Sequence, residues 1–370
     1  MVNVSGFASL ITGLVFATTV LSGCSELRYY VQSARGHQYI VDHAQDIEQL
    51  LTDDQLDADL QQKLNLILNA RKFASETLGL PENGSYTRYA DLGRDYVVKN
   101  LFAAEEFSTE LHSWCYLVIG CAQYRGYFDE QMLVEYRDEL SGEGYDTYIA
   151  DVAAYSTLGW FDDPALNTFI GWPEYRLVGL IFHELAHQKI YIDGDTFFNE
   201  SFAMTVEQAG VRAWFASTDN PEQLSQYHAH QKRHDVVLAL VTQARKELDT
   251  LYQQQYSDEE KRLHKEKIIQ NLRQQYAVHA RSWSNREAAA TFPGEINNAR
   301  LGMMVAYNRF VPAFLSILKD QENNLQLFYA YVSDLSELPA EQRKQCLQAW
   351  SKQAGVEPGE DPSLCQLVTD

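Results

Sequence analysis

The chain has 370 residues, 45% hydrophobic and 22% charged, with 30 Lys+Arg against 51 Asp+Glu for a net charge of −21. The apolar fraction excludes a disordered chain, and 20 Gly with 9 Pro exclude a collagen-like or low-complexity one. The acidity excludes a phosphate-binding nucleic-acid surface, which needs clustered Lys and Arg, and disfavours loose electrostatic attraction to anionic lipid.

Residues 1–24 carry no charged side chain, and the first is Glu26. The apolar run from Phe7 to Val20 is too short to span a bilayer, which takes roughly 20 helical residues, but it suits the apolar region of a secretory signal. It ends in Leu21-Ser22-Gly23-Cys24, which resembles the lipobox of bacterial lipoproteins. The resemblance implies a signal peptide over 1–23 and acylation of Cys24. Ser25, in place of Asp, implies the periplasmic face of the outer membrane. No Lys or Arg precedes the apolar run.

Residues 24–36 read as a tether, and residues 37–345 as one body. From His37 to Leu78, Leu50, Leu51, Leu56, Leu60, Leu64, Ile67 and Leu68 recur mostly at helical spacing. Four cysteines remain after Cys24. An even number in an exported chain suggests two disulfides, the local pairs Cys115–Cys121 and Cys346–Cys365 being the simplest of three connectivities. The run Leu111–Ile119 is rich in strand formers. Tyr145–Leu158 approaches alternation between Gly144 and Gly159 and reads as one strand or a hairpin arm. The stretch 257–280 is a polar helix, 298–318 a more apolar one, and 346–370 a tail. The predicted fold is mainly α with a small β-sheet, an α+β class.

The chemistry lies in Arg176–Ile192, RLVGLIFHELAHQKIYI. His183 and His187 are four apart, so on a helix both imidazoles share a face and can hold one metal ion, with Glu184 beside them to take a proton from the attacking water. Zinc needs a third protein ligand. After the Asp193-Gly194-Asp195 loop, a second helix opens with Asn199-Glu200-Ser201-Phe202-Ala203, and Glu200 can face the His pair. Glu207, two turns on, can accept from the far ring nitrogen of His183 or His187. One Zn²⁺ per chain is expected.

The two segments together resemble the gluzincin metallopeptidases and are close to the zinc aminopeptidases among them. That resemblance implies His183, His187 and Glu200 as zinc ligands and Glu184 as general base and acid. Twelve residues separate His187 from Glu200, against about eighteen in the large gluzincin families, so the connection here is tighter. Together with Tyr124-Arg-Gly-Tyr-Phe and Ala154-Tyr-Ser-Thr-Leu-Gly-Trp-Phe-Asp-Asp-Pro, the zinc hairpin at 176–215 makes the chain similar to a family of proteobacterial lipoproteins called predicted aminopeptidases.

The expected activity is hydrolysis of N-terminal residues from peptides in the bacterial envelope. The alternatives are an envelope endopeptidase and a non-catalytic lipoprotein with structural zinc. Tyr307 is the leading candidate to stabilise the oxyanion, with Tyr155, Tyr175 and His228 behind it. Tyr155 and Arg125 are candidate substrate contacts, the Tyr145–Leu158 strand a candidate peptide edge, and Glu105, Glu106, Asp162, Asp163 and Glu174 candidate anchors for a substrate amine. The expected partners are a peptide and, through the lipid, a membrane. The sequence leaves the oligomeric state open.

Overall fold

The computed structural model describes residues 26–116, 120–154, 156–284, 287, 288, 292 and 294–353. In chain order these form α1 (26–43), β1 (Ala44–Asp46), α2 (Ile47–Leu50), α3 (Ala58–Glu76), β2 (Arg88–Ala90), β3 (Val98–Glu105), β4 (Trp114–Tyr116), β5 (Gly120–Ala122) and β6 (Arg125–Tyr127). Then come α4 (Glu130–Gly142), β7 (Tyr145–Val152), β8 (Ala165–Leu166), α5 (Asn167–Ile170), α6 (Glu174–Lys189), α7 (Thr196–Ser217), α8 (Pro221–Tyr252) and α9 (Asp258–Ala280). Four helices close the described chain: α10 (Asn298–Ala306), α11 (Val311–Asp320), α12 (Leu325–Ser336) and α13 (Ala340–Gln353). The fold is mainly α with small sheets, as predicted.

Capping side chains set several helix starts. Asp57 accepts from the backbone of Asp59 and Leu60 at α3, Asn220 precedes Pro221 at α8, and Ser257 with Glu260 forms a capping box at α9. The helical spacing from His37 to Leu78 is therefore not one element. β1 separates α1 from α2, and Asp46 and Asp57 cap α2 and α3. Residues 26–36 are not a tether but the first turns of α1. Tyr29 and Gln32 are buried there, and the Gln32 amide oxygen accepts from the backbone N–H of Phe128 and Asp129.

The described residues form three short sheets, ordered β1-β2-β8, β6-β3-β7 and β4-β5. In the second, β3 is central and antiparallel to both neighbours. Alternation sends Leu101, Ala103 and Ile149 towards α4, and Phe102, Tyr148 and Ala150 towards Ala299, Met303 and Tyr307 at α10. β7 is an edge strand, as expected. It ends at Val152, not Leu158, because its ladder partner β3 begins at Val98, the residue paired with Val152. The 2-stranded sheet pairs Cys115 with Cys121 across the strands, and the two form a disulfide.

The main core packs α3, α6, α7, α11 and α12 around Ile67, Phe182, Phe202, Phe314 and Phe328. A second core lies between α8 and α9. The apolar stretch 298–318 is two helices, not one. Pro312 lacks the amide that a continuous helix would use and sits at the start of α11, and the chain turns over 307–310. The expected tail begins inside α13, where Cys346 is buried and disulfide-bonded. Its expected partner Cys365 lies outside the described residues, as do Cys24 and Tyr155.

Candidate metal centre

The apolar faces of α6 and α7 fold this pair of helices into an antiparallel hairpin. Leu177, Val178, Ile181, Phe182 and Leu185 of α6 are fully buried, as are Phe198, Phe202 and Val206 of α7. Two glycines let the helices approach. A β-carbon at Gly210 would meet the Phe182 ring at 2.6 Å, and one at Gly179 would meet Glu207 at 3.2 Å. The short connection is clasped by Asn199, whose side chain accepts from Ile192 N (2.9 Å) and donates to Ile192 O (2.8 Å). Asp195 caps α7 and pairs with the buried Arg343 at 2.9 Å.

This framework converges three ligating atoms. His183 Nε2 lies 3.2 Å from His187 Nε2 and 3.3 Å from Glu200 Oε2, and His187 Nε2 lies 3.6 Å from the same oxygen. A tetrahedral ion with bonds of about 2.1 Å separates its ligand atoms by about 3.4 Å. The three side chains are largely buried and form a group that could hold a metal ion. Burial pushes the Glu200 carboxyl up, but the adjacent imidazoles outweigh it and hold it at about 2. Burial opposes a charge on His183, yet Glu200 and Glu207 raise it well above its ordinary value.

Of the two histidines that Glu207 could orient, it takes His183, with Oε2 3.2 Å from Nδ1. The Nδ1 of His187 is buried without a hydrogen-bond partner among the described residues. No hydrogen bond or ion pair among the described residues engages the Glu184 carboxylate, although its charge reaches Tyr86, Tyr124, Asp163 and Tyr307.

Tyr307, the C-cap of α10, is brought to the site. Burial, Glu200, Tyr124 and Glu184 all raise its phenol. Its turn is pinned to α7, where Ser201 Oγ accepts from Phe310 N at 3.0 Å. Tyr124, which the sequence marks only as the start of the Tyr124-Arg-Gly-Tyr-Phe segment, meets the same charges: burial raises its phenol, followed by Glu200, Tyr191 and Glu184. Tyr191 also answers to Glu200, and its ring is 6.2 Å from that of His187. Neither the Tyr124 nor the Tyr307 hydroxyl has a hydrogen-bond partner among the described residues. β5 backs the α6–α7 loop, with Gly120 packed against Asp193 and Gly194.

Other predicted residues lie elsewhere. Arg125 is buried on β6, where it pairs with Glu26 at 2.9 Å and stacks 4.0 Å from the Tyr29 ring centre. It is committed to docking α1, not to a substrate. Among the five candidate amine anchors, Glu106 pairs with Arg262, Glu174 accepts from the Trp214 indole, and Asp162 accepts from Gly84 N. Asp163 feels the charge of Glu184. Burial lifts its carboxyl to about 6, with Glu184 adding to the rise, while Thr157 and Ser156 hydrogen bonds hold it down. Its carboxylate is buried in the turn after β7, which denies a substrate amine direct access. His228, His230 and His234 do not join the metal-ligating group. His230 is held at about 4, by burial first and then by Arg176.

The fold and site define a chain whose His183 and His187, on an HExxH helix, and Glu200, on the next helix, could hold a metal ion. A family model described as a putative aminopeptidase, Aminopep, matches residues 28–347, and the chain belongs to that family. Membership supports a peptidase role. No curated protein and no solved structure matches the chain.

Proposed function

We propose that the protein is a zinc-dependent aminopeptidase of the bacterial envelope. The observation that carries this reading is the convergence of His183 Nε2, His187 Nε2 and Glu200 Oε2 at 3.2–3.6 Å from one another, with the Glu184 carboxylate left unengaged beside them. Two nitrogens and one carboxylate oxygen are a donor set suited to catalytic zinc, which keeps its fourth position open. When bound, Zn²⁺ supplies Lewis acidity to water and to the scissile carbonyl.

The chain's own groups do the rest. Glu184 accepts the proton of the attacking water and returns it to the leaving amine. Glu207 holds the His183 ring in the tautomer that points Nε2 inward. Tyr307 and Tyr124, with unpartnered hydroxyls, donate to the developing oxyanion.

The lipobox at Cys24 supports a lipid-anchored protein at the periplasmic face of the outer membrane. The exopeptidase reading rests on family membership. A panel of fluorogenic aminoacyl substrates, each with an N-blocked counterpart, tests it. Cleavage confined to free-amine substrates is expected, and cleavage of the blocked ones would replace it with endopeptidase activity.

A further inference from the structure

Exposed apolar side chains are not spread evenly over the molecule. Leu27, Tyr30, Val31, Tyr39, Trp160 and Phe161 make up six of the eleven large ones among the described residues, and all lie on α1 or on the turn after β7. Leu27 is 65% exposed, Trp160 78% and Phe161 57%. Monomeric proteins seldom leave such side chains contiguous without a use. Here five of the six share one side, while Tyr39, nine residues past Tyr30, lies on the opposite face of α1. Tyr30 and His37 are seven apart and share a helix face, and the Phe161 ring lies 4.6 Å from that of His37. Leu27 and Val31, spaced four apart, continue the stripe towards the start of α1.

The position of α1 selects the occupant. Its first residue, Glu26, is two residues after Cys24, a reach of at most about 7 Å. Residues 26–43 carry Arg28 and Arg35 against Glu26 and Asp42, so this helix is neutral on a chain of charge −21. It can approach a bilayer without the repulsion that the rest of the surface would meet. Tryptophan and tyrosine beside aliphatic side chains are the residues that settle at the headgroup level.

We propose that the outer stripe of α1 and the Trp160–Phe161 turn form a surface that rests in the headgroup region of a phospholipid bilayer. The inference rests on the lipid-anchor reading of Cys24 for its placement, and not on the zinc chemistry. The same turn touches the helix of the metal ligands, since Gly159 packs on Gln188, the residue after His187. The membrane surface therefore lies next to the site.

The test uses the full chain in phosphatidylethanolamine-rich vesicles whose acyl chains carry bromine, with tryptophan emission as readout. The chain has six Trp, of which Trp114, Trp214 and Trp350 are buried, Trp172 and Trp283 half-buried, and only Trp160 strongly exposed. Brominated lipid should quench the wild type relative to unbrominated lipid, and Trp160→Phe should abolish that quenching. Equal quenching in the variant, or none in the wild type, overturns the proposal. Intact mass reads acylation separately. An acylated chain with Trp160 unquenched keeps the anchor and removes the surface. An unacylated chain quenched through Trp160 on added vesicles keeps the surface and removes the anchor.

Discussion

Gly179 of α6 leaves room for the Glu207 side chain of α7: a β-carbon at Gly179 would lie 3.2 Å from both Glu207 Cγ and Oε1. The helix could hold alanine at this position by propensity alone, and would gain from it. The glycine instead admits the carboxylate that accepts from His183 Nδ1.

Gly179→Ala should therefore push Glu207 off His183. Loss of such a supporting carboxylate typically costs 10–100-fold in metal affinity, so a drop of roughly that size is expected. Competition with a chromophoric chelator measures it. Glu207→Gln should fall in the same direction, and unchanged affinity in both variants would detach Glu207 from metal binding.

Tyr307→Phe and Tyr124→Phe remove only the hydroxyl that feels the charges of Glu200 and Glu184. Loss of an oxyanion donor lowers kcat by about 10²–10³. The expectation is a kcat loss of that order in at least one of the two, with KM little changed. A pure KM effect would make these tyrosines binding residues.

Asp163 predicts a pH signature. Its carboxyl is raised from 3.8 to about 6 in the folded chain. The native state then binds more protons than the unfolded one between those values, so stability is fully present below about pH 4 and falls as pH rises through about 6. The shift corresponds to roughly 3 kcal/mol. Urea unfolding from pH 4 to 7 should show Asp163→Asn with a flatter profile than wild type over that window. Parallel profiles would mean that Asp163 is not raised.

The Cys115–Cys121 disulfide closes a short loop, with a separation of 6 residues, behind the α6–α7 connection. Loop-closure entropy for that size amounts to about 2 kcal/mol. The double variant Cys115→Ser, Cys121→Ser should lose stability of that order in denaturant unfolding. An unchanged midpoint would mean that the hairpin is held by packing alone.

The metal site was readable in sequence because its parts obey local periods. His183 and His187 lie one turn apart, and Glu200 and Glu207 two turns apart, so two helices joined by a short loop already define which faces meet. The choice of His183 over His187 as the partner of Glu207 was not readable, because it depends on the crossing of α6 and α7 at Gly179 and Gly210. The strand after Gly144 was legible as an edge, but its end was not, since it is set by where the distant β3 begins, at Val98 opposite Val152. Tyr124 and Asp163 reach the site through tertiary packing over long separations, and no local spacing marks them out among 22 tyrosines and 51 acids. Arg125 failed as a substrate contact for a related reason. Its partner Glu26 belongs to α1, which composition alone presented as a tether.

The central claim is that His183, His187 and Glu200 hold a catalytic zinc ion served by Glu184. Its most direct test is metal content by mass spectrometry, together with hydrolysis of a free-amine aminoacyl substrate, for wild type, Glu184→Gln and His183→Ala. One zinc per chain in wild type and Glu184→Gln, none in His183→Ala, and turnover in wild type alone are predicted. Zinc-free wild type under metal-replete conditions, or full turnover in Glu184→Gln, would contradict it.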